Sequence, residues 1–476
     1  MAHLYIAAAH KSSGKTTVAI GLTAAMVKRG LAVQPFKKGP DYIDPLWLSL
    51  AAGRPCYNLD FFTQGRAEII NTFSHKVDGT SIGLIEGNKG LFDGIDVEGT
   101  DSNAALATML GAPVVLVIDT AGITRGIAPL IRGYMNFDPD VNICGVILNK
   151  VGGARHEAKL RAALERYTDA EVMGAIGRDA AFEIPERHLG LIPANEATGS
   201  SAAETMISRL GFAISMGVNL DRVVACANAA TLPPGVKDAS RQSQTVTSRV
   251  KPDIRIAIAR DAAFGFYYPD DLEAFERAGA ELIPFDTLRD KHLPECDGLF
   301  IGGGFPETQL KALAANKGLL LEIREALAAG KPAYAECGGL MYLSRRISWA
   351  GESADMVGAV PADTVVGTRP QGRGYMLVRE SGNGPWPQLR QTPESNATDI
   401  PAHEFHYARL QNLGENPLFA YEVVRGTGID GHRDGLVVNN LLAGFAHHRN
   451  TAANPWVERF VAFVRDKSAK SNLASE

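Results

Sequence analysis

The residues best suited to chemistry fall in a few short stretches. Ala9-His10-Lys11-Ser12-Ser13-Gly14-Lys15-Thr16 lies between an apolar run and an amphipathic one, the order strand, glycine-containing loop, helix. This is a Walker A pattern with Ala9 in place of its first glycine. Loop N–H groups at a helix start attract phosphate, Lys15 reaches the β/γ oxygens and the Thr16 hydroxyl suits Mg²⁺. A second loop, Lys37-Lys38-Gly39-Pro40-Asp41-Tyr42-Ile43-Asp44-Pro45, sets two lysines and two carboxylates at the end of the next strand. They could hold Mg²⁺ and an anionic substrate; equally, Asp41 and Asp44 could be plain turn residues. Glu86 ends a third strand before Gly87-Asn88-Lys89-Gly90-Leu91-Phe92-Asp93, where a metal ligand or substrate contact belongs. Asp119 takes a Walker B-like place at the end of VVLVID, and Asn149 ends the next strand, where its amide could meet a purine edge.

Different chemistry is suggested further along. Ala335-Glu336-Cys337-Gly338-Gly339 follows a short apolar strand and opens a helix. A cysteine at such a turn is expected to have its thiolate stabilised by the helix N-terminus, and the N–H of Gly338 can help to form an oxyanion hole. The turn Ile301-Gly302-Gly303-Gly304-Phe305-Pro306-Glu307 could supply the second donor, at Gly304. His447, in Ala443-Gly444-Phe445-Ala446-His447-His448, is a candidate base. The plainer alternatives are a buried structural thiol and a surface or capping histidine.

These loops need a scaffold. Apolar β-branched runs at His3–Ala9, Leu31–Phe36, Ile82–Glu86, Pro113–Asp119, Val141–Asn149 and Glu171–Ile176 alternate with helical stretches such as Thr16–Arg29, and the pattern fades near Asp221–Ala229. This predicts an α/β domain on a parallel sheet covered on both faces. Polar, period-free LPPGVKDASRQSQTVTSRVKP reads as a linker. A second α/β pattern follows, with strands at Ile254–Ala259, Glu281–Pro284, Gly298–Ile301 and Ala333–Ala335 and a helix at Asp271–Ala278. The expected division is 1–230, a linker at 231–252, a second domain at 253–466 and a frayed tail at 467–476. A length of 476 residues fits two such domains, and a net charge of −5 gives no reason to expect nucleic acid or an anionic membrane surface. Five scattered cysteines are expected to stay unpaired in a reducing compartment, and no run is long enough to span a bilayer, so cytoplasm is the expected location.

Taken together, the chain resembles the cobyrinate a,c-diamide synthase family, a dethiobiotin-synthetase-like ATP domain fused to a class I glutamine amidotransferase domain. The likeness is carried by SSGKTT, KKGPDYIDP, EGNKGLFDG, IPERHLGL (Ile184–Leu191), GGGFPE, AECGGLMYL, RPQGRGY (Arg369–Tyr375) and AHEFHY (Ala402–Tyr407). It implies a P-loop NTPase-like sheet followed by a flavodoxin-like amidotransferase fold. It also implies ATP and Mg²⁺ as cofactors, with glutamine and an acidic tetrapyrrole as small-molecule partners and a homodimer as one expected assembly. Cys337 would attack glutamine with His447 as base, and ammonia would displace phosphate from an acyl phosphate formed on acetate side chains a and c. Ser12, Ser13, Gly14, Lys15, Thr16, Thr17 and Asn149 would bind ATP. Thr16, Asp41 and Glu86 would hold Mg²⁺, with Glu86 and Asp44 serving the activated carboxylate. Lys38, Tyr42, Asn88, Lys89 and Asp93 would meet the macrocycle.

Three departures stand out. Asn88-Lys89 replaces a common Val-Met pair, Arg449 stands two residues after His447 where many triad amidotransferases have Glu, and Ala9 replaces the first loop glycine. The first keeps open amidation of sirohaem or sirohydrochlorin instead of cobyrinate or hydrogenobyrinate. A reading of another class, a regulatory P-loop ATPase with an inactive glutaminase domain, conflicts with His10 at the position of that class's signature lysine and leaves Cys337 without a purpose.

Overall fold

A computed structural model describes residues 1–179, 184, 186–187, 190–196, 200–233, 251–389 and 399–475. The chain forms two compact units, Met1–Val246 and Thr247–Glu476, dividing inside the expected linker. Linker residues 234–250 lie outside the described residues, as do 185, 188 and 189 of Ile184–Leu191.

In the first unit, β1 (His3–Ala8), β2 (Ala32–Lys38), β3 (Tyr57–Leu59), β4 (Ser81–Glu86), β5 (Val114–Asp119), β6 (Ile143–Val151) and β7 (Val172–Gly177) form one sheet in the order β3-β2-β4-β1-β5-β6-β7. Every neighbouring pair is parallel. Two apolar cores cover its faces: Leu4, Ile6 and Ala8 pack on one side, and Tyr5 and Ala7 on the other. That two-sided burial is why these strands read as unbroken apolar runs. Helix α1 (Lys15–Lys28) leaves the loop after β1, and α2 (Ile43–Ala52) leaves the loop after β2. Where the pattern fades, the chain forms a helix over Leu220–Asn228.

The second unit has a nine-stranded sheet. Five parallel strands come first, in the order Ala280–Phe285, Ile254–Ala259, Gly298–Ile301, Ala333–Glu336 and Leu441–Gly444. Arg433–Val438, Leu418–Arg425, Gly372–Glu380 and Ile400–His406 extend it with antiparallel pairing.

Two expectations need correction. Cys144 and Cys226 are joined by a disulfide with their Cα atoms 6.5 Å apart; the fold brings a strand and a helix together across 82 residues, which spacing cannot reveal. The expected tail continues the helix Trp456–Ser475, steadied by the Lys470–Asp466 pair and a Ser468 hydroxyl donating to Asp297. Among the described residues no helix is long and apolar enough to cross a membrane.

Candidate functional site

The first unit gathers its charged residues at the carboxyl edge of the sheet. Parallel pairing sets Lys37 beside Glu86, and β1 is flanked by β4 and β5, so the loop after β1 opens onto the same edge. Gly14 has φ 81°, and a Cβ there would lie 2.2 Å from Asn149 Nδ2, so the loop requires glycine at this point. Helix α1 has no acidic residue in its first turn, leaving its positive end open to an anion. Ser12, Ser13 and Gly14 precede this turn, and Thr16 and Thr17 lie within it.

Glu86 is fully buried at the centre of a cluster. Its Oε1 accepts from Thr16 Oγ1 at 2.5 Å and Lys15 Nζ at 3.2 Å, and its Oε2 is 3.2 Å from Lys37 Nζ. Thr16 Oγ1 also lies 3.1 Å from Asp44 Oδ2, and Lys37 pairs with Asp44 and, at 3.7 Å, with Asp41. Burial pulls Lys15 below the usual lysine range against the pull of Glu86. Burial also opposes the charge on Lys37, but Asp44 and Glu86 outweigh it and raise its affinity for a proton. Asp44 shows the converse: burial is overcome by Lys37 and Lys15, which hold it below the carboxylate range. Asp41 is pushed up to about 7, first by burial and then by Asp44. Thr16, Asp41, Asp44 and Glu86 thus place oxygen atoms beside the phosphate loop with Lys15 and Lys37 as counter-charges, and among the described residues no three acidic, histidine or cysteine side chains are grouped so as to hold a metal ion by themselves.

Other predicted residues have duties within the fold. Asn149 donates through Nδ2 to the Ser13 carbonyl at 2.9 Å and braces the loop. Asp119 pairs with Lys150 at 2.8 Å, and Lys150 also donates to the Ser12 carbonyl at 3.0 Å, so the Walker B-like carboxylate is tied to a cation that supports the loop. Asp93 Oδ2 accepts the Gly90 N–H, and Asn88 Oδ1 accepts the Lys89 N–H. Tyr42 is buried at the start of α2. Lys38 is buried and forms no hydrogen bond or ion pair with the described residues. Its affinity for a proton is lowered by burial, with Asp101, Asp60 and Lys89 the nearest influences.

The second unit builds its site at the ends of two neighbouring parallel strands. Cys337 ends Ala333–Glu336 with φ 47° and ψ −100°, a sharp strand-to-helix turn that leads into Gly338–Leu343. A left-handed backbone at a non-glycine residue costs of the order of 1–3 kcal/mol and persists where the surroundings impose it. The Cys337 N–H donates to the Gly444 carbonyl at 2.8 Å, tying the turn to the segment that carries His447. A Cβ on Gly338 would come 2.8 Å from the Gly304 carbonyl, and one on Gly303 would come 2.7 Å from His447 Cε1. The Gly303–Gly304 strand is therefore wedged between the Cys337 turn and the His447 imidazole. At Gly304 a Cβ would sit 1.9 Å from the Ala263 carbonyl. Gly304→Ala should cost about 1–3 kcal/mol of stability and lower glutamine hydrolysis about a hundred-fold, checked by thermal melting and glutamate release.

His447 exchanges backbone hydrogen bonds with His403, and their rings stack with centroids 4.8 Å apart. Its Nδ1 lies 3.5 Å from Glu336 Oε2. The thiol runs against expectation. Burial pushes Cys337 well above the usual thiol range, and the Glu307 carboxylate adds to this, so the short helix does not prevail and a base is needed to remove the proton.

Sequence reasoning did not single out Glu336, Lys150 or Asn103, and it did not separate Lys37 from Lys38. Asn103 accepts from Tyr5 and from the Asn88 N–H and donates to the Gly90 carbonyl, fixing the loop after Glu86. The available signals were local: Lys37 faces Glu86 by strand register, and Glu336 directly precedes the cysteine.

Comparisons with known proteins match each half of the chain. Residues 4–192 match a family model described as the CobQ/CobB/MinD/ParA nucleotide binding domain, and 255–455 match the CobB/CobQ-like glutamine amidotransferase domain. A cobyrinate a,c-diamide synthase from Magnetococcus marinus is 46% identical over 98% of this chain and 98% of its own. One from Methanosarcina acetivorans is 40% identical over 94% and 92%, and one from Archaeoglobus fulgidus 37% over 96% and 96%. With both halves matched and the relatives aligned almost end to end, the chain belongs to the cobyrinate a,c-diamide synthase family.

Proposed function

We propose that this protein is an ATP- and glutamine-dependent ligase that converts the a and c acetate groups of cobyrinate or hydrogenobyrinate to amides in cobalamin biosynthesis, as a cytoplasmic enzyme. The observation that carries the reading is the pairing, in one chain of this family, of the Lys15–Thr16–Glu86 cluster with the Cys337–His447 turn.

In the glutaminase half, His447 takes the Cys337 proton and the sulfur attacks the glutamine amide carbon. The N–H groups of Gly304 and Gly338 receive the oxyanion. The C–N bond then breaks, His447 returns the proton to the departing nitrogen as ammonia, and water later releases glutamate from the thioester. In the synthetase half, Lys15, Ser12, Ser13, Gly14 and Thr17 bind the nucleotide phosphates, while Asn149 acts through the loop it braces. Thr16, Asp41 and Glu86 would hold Mg²⁺, which when bound neutralises phosphate charge. Asp44 and Lys37 place the acetate that receives the γ-phosphoryl group. Phosphorylation gives a poor electrophile a leaving group, and ammonia displaces phosphate to give the amide. Lys38, Tyr42, Asn88, Lys89 and Asp93 shape the macrocycle site.

A proton on Asp41 competes with the metal. Because its carboxyl is pushed up to about 7, Mg·nucleotide affinity should fall about ten-fold from about pH 8 to about pH 6, and Asp41→Asn should flatten that slope in calorimetric titrations.

A second reading keeps the chemistry and changes the macrocycle to sirohaem or sirohydrochlorin. It is favoured by exposed Lys89 beside buried Lys38, which pairs with none of the described residues, a cationic pair that would suit a differently placed carboxylate. Turnover of cobyrinate and sirohaem side by side decides between them. Faster amidation of cobyrinate supports the first reading, and amidation of sirohaem alone would replace it.

A further inference from the structure

The proposed glutaminase needs its imidazole held in one tautomer, and the Glu usually found two residues after the histidine is here Arg449, which pairs instead with Asp270 at 2.7 Å. Other ionisable groups around His447 are committed elsewhere. Asp434 accepts the N–H groups of Phe445 and Ala446, which fixes the strand leading to His447. His403 lies against the imidazole face with Tyr268 Oη 3.4 Å from its Nδ1. His448 is held neutral by burial and points toward Asn454. Glu307 lies on the cysteine side, where its charge raises the thiol. Glu336 differs from all of these. Its Oε1 accepts from Tyr334 Oη at 2.6 Å and from the His448 N–H at 3.0 Å, and this anchoring turns Oε2 toward His447 Nδ1 at 3.5 Å. Both side chains are almost fully buried.

We propose that Glu336, the residue immediately before the nucleophile, is the positioning residue for His447, taking the part of the missing downstream carboxylate. This rests on the glutaminase reading above. The carboxylate holds the Nδ1 proton, so Nε2 keeps its lone pair for the Cys337 proton. When that proton arrives, the imidazolium is paired with a buried carboxylate and the 3.5 Å separation shortens to a hydrogen bond. One peptide step thus carries both the nucleophile and the group that orients its base, because Glu336 and Cys337 point to different sides at the strand end.

The test is Glu336→Gln in the full chain. A glutamine here can accept from Tyr334 and the His448 N–H through its oxygen, but offers an N–H to Nδ1 and drives the imidazole proton to Nε2. Glutamine-dependent amide formation should fall on the order of 10²–10⁴-fold while ammonium-dependent formation stays within about two-fold. Alkylation of Cys337 by iodoacetamide should slow and lose its rise across neutral pH, and Glu336→Asp should recover part of both. Retention of glutamine use within about three-fold, or a parallel loss with both nitrogen sources and unchanged alkylation, would overturn the assignment. A parent enzyme inactive even with ammonium would overturn the proposed function instead, and the alkylation profile would still decide the role of Glu336. Should the glutamine variant fail to fold, Tyr334→Phe removes one anchor of the carboxylate. It should slow alkylation about five-fold, and an unchanged rate would count against the proposal.

Discussion

Replacing Cys337 with serine should lower glutamine-dependent amide formation on the order of a thousand-fold or more and leave ammonium-dependent formation at its parental rate. The asymmetry follows from where the residue sits. Cys337 belongs to the second unit, at a strained turn with φ 47° and within the group formed by Gly303, Gly304, Glu336 and His447. Nothing in that group belongs to the Lys15–Glu86 cluster. Serine fits the same turn, so folding should be unaffected, but its hydroxyl is harder to ionise than even the raised thiol and the same imidazole cannot activate it well. Parallel rates with glutamine and with ammonium chloride check the expectation. Loss with both sources would mean that the turn supports the whole protein rather than one half-reaction.

The second large effect lies in the other unit. Glu86→Gln should lower amide formation on the order of 10²–10³-fold with either nitrogen source, while glutamate release in the absence of macrocycle persists. Glu86 is fully buried and meets Lys15, Thr16 and Lys37 at once. The amide keeps the shape but leaves two buried lysines short of a counter-charge. That should also cost about 3 kcal/mol of stability, visible as a lower Tm. Loss of glutamate release alone, with ammonium use intact, would place Glu86 outside the synthetase reaction.

Much of this organisation was legible in the sequence for identifiable physical reasons. A sheet buried on both faces writes itself as the apolar runs at His3–Ala8, Ser81–Glu86 and Val114–Asp119. Glycines mark Gly14, whose backbone has φ 81°, and Gly304, where a Cβ would strike the Ala263 carbonyl. Contacts between residues distant in sequence were not legible. The Cys144–Cys226 bond joins a strand to a helix, and no spacing rule pairs them. Asp119 and Asn149 stand at or near strand ends as expected from the sequence, but their partners, Lys150 for the first and the Ser13 carbonyl for the second, could not be read from spacing. The state of the thiol depends on burial and on Glu307, which outweigh a six-residue helix, so the residue type alone suggested too acidic a sulfur. Lys37 was visible as one of two adjacent lysines, but which of them turns into the carboxylate cluster depends on strand register: it pairs with Glu86, while Lys38 points elsewhere.

The transfer of nitrogen from one site to the other is most directly tested by supplying glutamine labelled in its amide nitrogen, with ATP and cobyrinate, and reading the product by mass spectrometry. Labelled nitrogen at two former acetate groups, with one ADP formed for each amide, is the predicted result. Release of labelled ammonia and ADP with the macrocycle unchanged would contradict the account.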